Sequence, residues 1–401
     1  MRSHKRASVP LEREMCRNPP ITGEMATIAL PYETRRYLRN VNWYLIASAF
    51  ALTLFGFIAI QSANLHSPGA GSEYKKQMFY SVVGVGVMYL FSRLDYRNFQ
   101  TWAPWLYGIN LVLLAFVLRG GHNALGAQRW ISLGPLGEFQ PSEPAKLILA
   151  IFVAWGLCKW PFNRLEDLAR PLVAVGIPAL LIVKQPDLGT TLVLLAILST
   201  QLFFGLEKVG YFWLYAAGVV GTAAFTVGTN FILKPFQKAR LLVFLNPKAD
   251  PQGAGYNLNQ SKIAVGSGEW FGRGLHHGTQ TQLNFVPEHS RDFIFTVVAE
   301  ELGFIGALVL IVFYVGLLYG GVQAMLAARD KFGFLLAAGI VGMFAFHIIV
   351  NVGMTIGIMP ITGIPLPFMS YGGSAIITDF AAVGMLLNVY AQRDRGMLGN
   401  A

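Results

Sequence analysis

The sequence predicts an all-α polytopic membrane protein of about ten transmembrane helices, with a long extracytoplasmic loop between spans seven and eight. Three observations predict it. The 401 residues are 54% hydrophobic and 13% charged, with a mean hydropathy of +0.48, which excludes an ordinary soluble domain. Apolar runs long enough to cross about 30 Å of hydrocarbon as helices recur along the chain. Between two of them lies one long polar, glycine-rich stretch, from Lys234 to Gly306, in which the polar chemistry is concentrated. The net charge of +10 sits largely at span ends and suits anionic phospholipid, with no nucleic acid expected. Cys16 and Cys158, the two cysteines, support neither a disulfide framework nor a cysteine metal site.

Residues 1–40 form a basic tail carrying Arg35, Arg36 and Arg39 just before the first apolar run, which predicts a cytoplasmic N-terminus. Spans follow near 41–62, 77–93, 100–119, 142–158, 170–184, 187–205, 209–232, 292–320, 333–356 and 370–391. Arg93, Arg97, Lys159, Arg164, Lys208, Arg329, Lys331, Arg393 and Arg395 fall in alternate turns, so both termini are expected inside. The predicted organisation is a tail over 1–40, a membrane domain over 41–391 with its large outer loop at 233–291, and a cytoplasmic tail over 392–401.

Four polar features then share the outer face. The first runs from Gly126-Ala-Gln-Arg-Trp130 to Gln140-Pro-Ser-Glu-Pro-Ala-Lys146. Glu143 and Lys146 are three apart at a helix start and can meet on one face, as a structural ion pair beside a Ser142 or Glu143 cap or as a functional group. The second, Gln185-Pro-Asp-Leu-Gly-Thr190, reads first as a tight turn in which Asp187 caps the next helix.

The third is the long loop. Pro235 to Pro247 mixes apolar and basic residues and is expected at headgroup level. The glycines from Gly253 to Gly274 can turn N–H groups toward an anion, with Lys262 and Arg273 adding charge. Tyr256, Trp270, Phe271, Leu283 and Phe285 are expected to anchor the loop. At its end Asp292 is either a helix cap or a functional acid, and Glu300 and Glu301 make three carboxylates entering one span. The fourth feature, Gly357 to Ser374, has the glycines and prolines of a rigid turn between spans, tolerable at membrane depth where it is buried or lines a cavity.

These strings, with Asn246 to Tyr256, Gln260-Ser-Lys262, Asp292-Phe-Ile-Phe295, Ala299-Glu-Glu-Leu-Gly303 and Pro365-Leu-Pro-Phe-Met-Ser-Tyr-Gly-Gly-Ser374, resemble the SEDS family of bacterial envelope proteins (shape, elongation, division and sporulation). The resemblance covers about residues 40 to 391 and is closer to the elongation member than to the division member. It implies a peptidoglycan glycosyltransferase of the inner membrane, polymerising lipid II on the outer side during cell elongation. The partners it implies are a class B penicillin-binding protein and elongation-complex membrane proteins. The family's essential aspartate falls on Asp292, expected as general base with undecaprenyl diphosphate leaving. Glu143, Lys146, Arg129, Gln140, Gln260, Lys262, Arg273 and Ser370 are expected to bind substrate. Ser290-Arg291 departs from the family's usual His-Thr before that aspartate. The cofactor stays open: no ligand spacing specifies a metal, and a divalent cation (Mg or Mn) is one candidate. Two rival readings are a lipid II flippase and a non-catalytic scaffold for the penicillin-binding protein.

Overall fold

The computed structural model describes residues 41–65, 72–124, 127–132, 134, 137–160, 162, 164–228, 243–244, 253–283, 285 and 290–394. The expected tail over 1–40, most of the Pro235–Pro247 segment and residues 395–401 lie outside them. Each of the ten expected segments contains a helix among the described residues: α1 (Trp43–Ala63), α2 (Ser72–Arg93), α3 (Tyr96–Gly120), α4 (Ser142–Lys159), α5 (Ala169–Lys184), α6 (Leu188–Gly205) and α7 (Val209–Gly228) precede the long loop. The loop contributes α8 (Ala254–Ser267) and a short α9 (Thr279–Gln282), and α10 (Ile294–Leu326), α11 (Lys331–Ile356) and α12 (Gly373–Ala391) follow. Six of these, namely α1, α3, α6, α10, α11 and α12, are long and apolar enough to cross a membrane. The protein is a multi-pass membrane protein.

The burial pattern fits that setting. Helix α11 is apolar on nearly every side and sits inside, packed on α6, α4 and α10. Helix α3 shows Trp105 at 77% and Val112 at 69% exposure, as expected of a surface solvated by hydrocarbon. Helix α12 lies along α2, so close that a Cβ on Gly384 would stand 2.6 Å from the Met88 carbonyl oxygen. Small residues of this kind let membrane helices approach closely where no hydrophobic force drives them together.

The sequence showed no strands, yet three short ones cross the stretch between α3 and α4: β1 (His122–Ala124), β2 (Ala127–Ser132) and β3 (Glu138–Phe139), antiparallel in that order. They bring Arg129 and Gln140 together and close the backbone hydrogen bonds of an otherwise open crossover.

The long loop differs from expectation in what holds it. Phe271, Leu283 and Phe285 are 81%, 63% and 41% exposed, and Trp270 packs edge-on against Phe304 of α10 with ring centroids 5.2 Å apart. Most of the anchoring is by the backbone. Helix α10 breaks at Gly303 (φ 67°, ψ −163°), and residues 269–274 pair with the break like a strand. Phe304 N–H donates to the Glu269 carbonyl at 2.8 Å and Ile305 N–H to Trp270 at 3.2 Å, while Arg273 and Gly274 N–H donate to Glu300 and Glu301 carbonyls, each at 3.0 Å. Of the glycines expected to cradle an anion, Gly268 and Gly272 serve this contact instead: a Cβ on Gly272 would lie 2.1 Å from the Glu301 carbonyl oxygen. The two acids bind loop atoms as well. Glu300 accepts from the N–H groups of Gln280 (2.8 Å) and Thr281 (3.1 Å) and from the Thr281 hydroxyl (2.7 Å). Glu301 accepts from Ser62 Oγ at 2.5 Å, which also meets His276 Nδ1 at 3.1 Å.

Gly303 occupies a backbone region almost restricted to glycine, and an added Cβ would lie 2.3 Å from Gly272 N. Gly303→Ala is therefore expected to cost at least about 1–3 kcal/mol. The loss should appear as a lower melting midpoint in detergent with faster proteolysis within 269–283. An unchanged midpoint would contradict the pairing.

Candidate active site

The starts of five helices converge on one cleft of about 800 Å³. Glu73 and Lys76 come from the first turn of α2, Glu143 from α4, Thr190 from α6, Asp292 from just before α10, and Ser374 from α12. Each of α2, α4, α6, α10 and α12 thus begins at the cleft. The arrangement matters electrically, because each helix start presents unpaired N–H groups and the positive end of its dipole. Among the described residues the charged lining is Glu73, Lys76, Arg129, Glu138, Glu143, Asp187, Arg291 and Asp292, five acids and three bases.

Asp292 is held by its backbone. The N-cap of α10 is Phe293, not Asp292, so the reading of Asp292 as a simple helix cap does not hold. Its carbonyl accepts from Asn351 Nδ2 at 2.8 Å, and the same amide donates to the Ile364 carbonyl at 2.7 Å. Phe293 is buried in a small cluster with Leu258 and Ala264 of α8 and with Met354 and Ile361, and Ser261 Oγ donates to the Thr355 carbonyl at 2.7 Å. Helix α8 thus roofs the junction and fixes the direction in which residue 292 leaves it.

On the α4 side Glu143 and Lys146 form the expected ion pair. Lys146 Nζ lies 2.8 Å from Glu143 Oε2 and 3.5 Å from His347 Nε2, all buried. Glu143 also lines the cleft, whereas Lys146 stands behind it. Asp379 of α12, buried and accepting from Phe368 N–H at 3.2 Å, lies within electrostatic reach of this pair. The N-cap of α4 is Pro141 rather than Ser142 or Glu143; Gln140 Nε2 donates to Ser142 Oγ at 2.9 Å.

Asp187 is more than a turn residue. It caps α6 by accepting from Thr190 N–H at 3.0 Å, and it lines the cleft with Arg129, whose guanidinium stands 3.9 Å away. Arg129 Nε donates to the Gln185 carbonyl at 2.9 Å and its NH2 to that of Pro186, fastening the β2 strand to the α5–α6 turn.

Five expected substrate-binding residues fall outside the cleft lining: Lys146, which stands behind it, and Gln260, Lys262, Arg273 and Ser370. Gln260, Lys262 and Arg273 are absent from the cleft lining, because α8 packs as a roof and the segment after it pairs with the broken helix. Lys262 runs instead against Gly357, and Arg273 Nε donates to the Ser267 carbonyl at 3.2 Å. Ser370 is 4% exposed: it donates to the Arg291 carbonyl at 2.6 Å and accepts from Leu366 N–H at 2.8 Å, so it binds the turn. Lys76, Tyr80, Glu138 and Arg291 line the cleft without having been singled out as ligands. Arg291 stands over the Tyr371 ring at 5.8 Å; its departure from the family pattern was the one signal for it. Among the described residues, no group of three or more His, Cys, Asp or Glu side chains could hold a metal ion.

Fold and site define a polytopic membrane protein with a polar cleft where five helices begin. Residues 42–395 match the family of cell cycle proteins that comprises FtsW, RodA and SpoVE, and the chain belongs to that family. The peptidoglycan glycosyltransferase MrdB of Escherichia coli (strain K12) is 38% identical over 349 residues, 86% of this chain and 91% of that one. A solved chain from a peptidoglycan synthase complex, described as coordinating polymerization and crosslinking, superposes with a TM-score of 0.75 at 32% identity, covering 88% of this chain and 99% of that one. The rod shape determining protein RodA of Thermus thermophilus gives 0.66 at 30% identity, covering 88% and 98%.

Lys146→Met leaves Glu143 as a buried unpaired acid and is expected to cost about 3–5 kcal/mol. Combining it with Glu143→Gln should restore most of the loss, read as melting midpoints in detergent. A single variant as stable as the parent would contradict the pairing.

Proposed function

We propose that the chain is a peptidoglycan glycosyltransferase that polymerises lipid II during cell elongation, with Asp292 as general base and undecaprenyl diphosphate as leaving group. The observation that carries this reading is the position of Asp292 in a polar cleft ringed by helix starts, on a body whose helices expose many large apolar side chains. A lipid-linked sugar needs that combination. Its prenyl chain stays in hydrocarbon while its polar head reaches the cleft, and a volume of about 800 Å³ lies within the usual range for ligand sites.

The reaction joins the 4-hydroxyl of one N-acetylglucosamine to the anomeric carbon of N-acetylmuramic acid on a lipid-linked strand. The hydroxyl proton passes to the Asp292 carboxylate as oxygen attacks. The new carbon–oxygen bond forms while the bond to the diphosphate breaks, with inversion at that carbon. The diphosphate departs as a stable anion, so it needs less protonation than a sugar alkoxide would. Helix starts and the cleft cations Lys76, Arg129 and Arg291 favour the charge that accumulates there. They take the place of Lys262 and Arg273 in this role. A divalent cation bound with the diphosphate would supply further neutralisation.

The basic turns fit a cytoplasmic side. Arg97 meets Asp330 at 3.3 Å and Arg329 Nε donates to the Arg393 carbonyl at 2.9 Å, gathering these turns at the far ends of helices whose starts line the cleft. The cleft then faces outward from the inner membrane, with both termini inside. A crosslinking class B penicillin-binding protein is the partner this reading requires, because a nascent glycan strand is useful only when joined to its neighbours. A flippase is less well supported: a carrier places its site near the midplane between two half-domains, and this cleft lies at helix ends.

Asp292→Asn keeps shape and removes the base. Purified in detergent and given lipid II, it is expected to lose about 10²–10⁴-fold in polymer formation while melting like the parent. A variant polymerising at the parental rate would remove Asp292 from the role.

A further inference from the structure

We propose that the hydroxyl of Thr362 is a binding group for the saccharide that Asp292 acts on, a contact that rests on the function proposed above. Five buried side-chain polar atoms among the described residues have no partner: Asn110 Oδ1, Gln201 Oε1, Gln280 Oε1, Asn351 Oδ1 and Thr362 Oγ1. Thr362 alone of these residues lines the cleft, and it is 7% exposed. An unsatisfied buried hydroxyl is costly and is ordinarily completed. Valine would fill the same space without that cost, so the hydroxyl at this place is explained by a polar group that arrives with a ligand.

The turn presents the hydroxyl rigidly. The Thr362 carbonyl packs on the start of α6 so closely that a Cβ on Gly189 would lie 2.8 Å from its oxygen. Gly363, next in the chain, has φ +72°, which a side chain would strain. One residue further, the Ile364 carbonyl shares the Asn351 amide with the Asp292 carbonyl. Thr362 and Asp292 therefore belong to one braced wall, and a sugar placed for proton removal by Asp292 is within the same cleft as the hydroxyl. A hydroxyl both donates and accepts, which suits the alcohol and acetamido groups of an amino sugar.

The test compares Thr362→Val and Thr362→Ser. Binding of lipid II is measured in the Asp292→Asn background, where turnover does not intervene, and KM and kcat in the parental background. Thr362→Val is expected to weaken binding and raise KM about tenfold, Thr362→Ser to restore both, and neither to lower the melting midpoint. Unchanged binding in Thr362→Val would overturn the proposal and assign the hydroxyl to a bound water. A lowered melting midpoint accompanying the loss would equally overturn it and make the hydroxyl structural. If Asp292→Asn polymerises normally, the base assignment fails, and KM in the parental background still decides the role of Thr362.

Discussion

The buried amide of Asn351 is the interaction on which the site depends. Irregular backbone cannot face hydrocarbon, because each unpaired carbonyl or N–H would be left without water. Two such segments meet at α11: the chain entering α10 at Asp292 and the proline-rich turn before α12. Asn351 answers both with one side chain, 2.8 and 2.7 Å from their carbonyls. The Tyr371 N–H to the Ser290 carbonyl at 2.9 Å and Ser370 to Arg291 complete the seam. Gln77 of α2 adds to it, donating to the Ser370 carbonyl and accepting from Gly372 N–H, each at 3.2 Å. Irregular turns between helix ends thereby become a rigid cleft wall.

The same constraint explains the second irregularity. The break at Gly303 frees N–H and carbonyl groups of α10, and the loop segment at 269–274 takes them up. The polar residues entering α10 thus divide between two jobs. Asp292 faces the cleft, while Glu300 and Glu301 fasten α10 to the loop helix α9 and to α1. Three carboxylates in one span do not form one site.

The helices were legible in the sequence because length and hydropathy act locally, and each expected segment contains one. The cleft was partly legible. Arg129, Gln140, Glu143 and Asp292 stand in compact polar strings, visible against apolar surroundings. Lys76 and Tyr80 were not, since the start of α2 reads as an ordinary basic span end, and its place at the cleft depends on packing against α12 almost 300 residues later. His347 and Asp379 lie singly in apolar helices, and only the fold brings them to Lys146. The loop misled because glycine and exposed aromatic residues carry no indication of which backbone they will pair with. Gln260, Lys262 and Arg273 looked like ligands for lack of that information. The break at Gly303 was hidden for the same reason, inside a run of otherwise helical pattern.

The electrostatics of the cleft also needed the fold. Its acids outnumber its bases, so side chains alone do not make it an anion site; the converging helix starts supply positive potential that no residue count reveals. Sugar chemistry at Asp292 would take place within this field. A structure of the chain in a lipid nanodisc with lipid II bound tests that most directly. The expected result is a sugar hydroxyl about 2.6–3.2 Å from an Asp292 carboxylate oxygen, with the saccharide inside the cleft and the prenyl chain leaving between helices. A saccharide ordered elsewhere, with Asp292 turned away from it, would contradict the account.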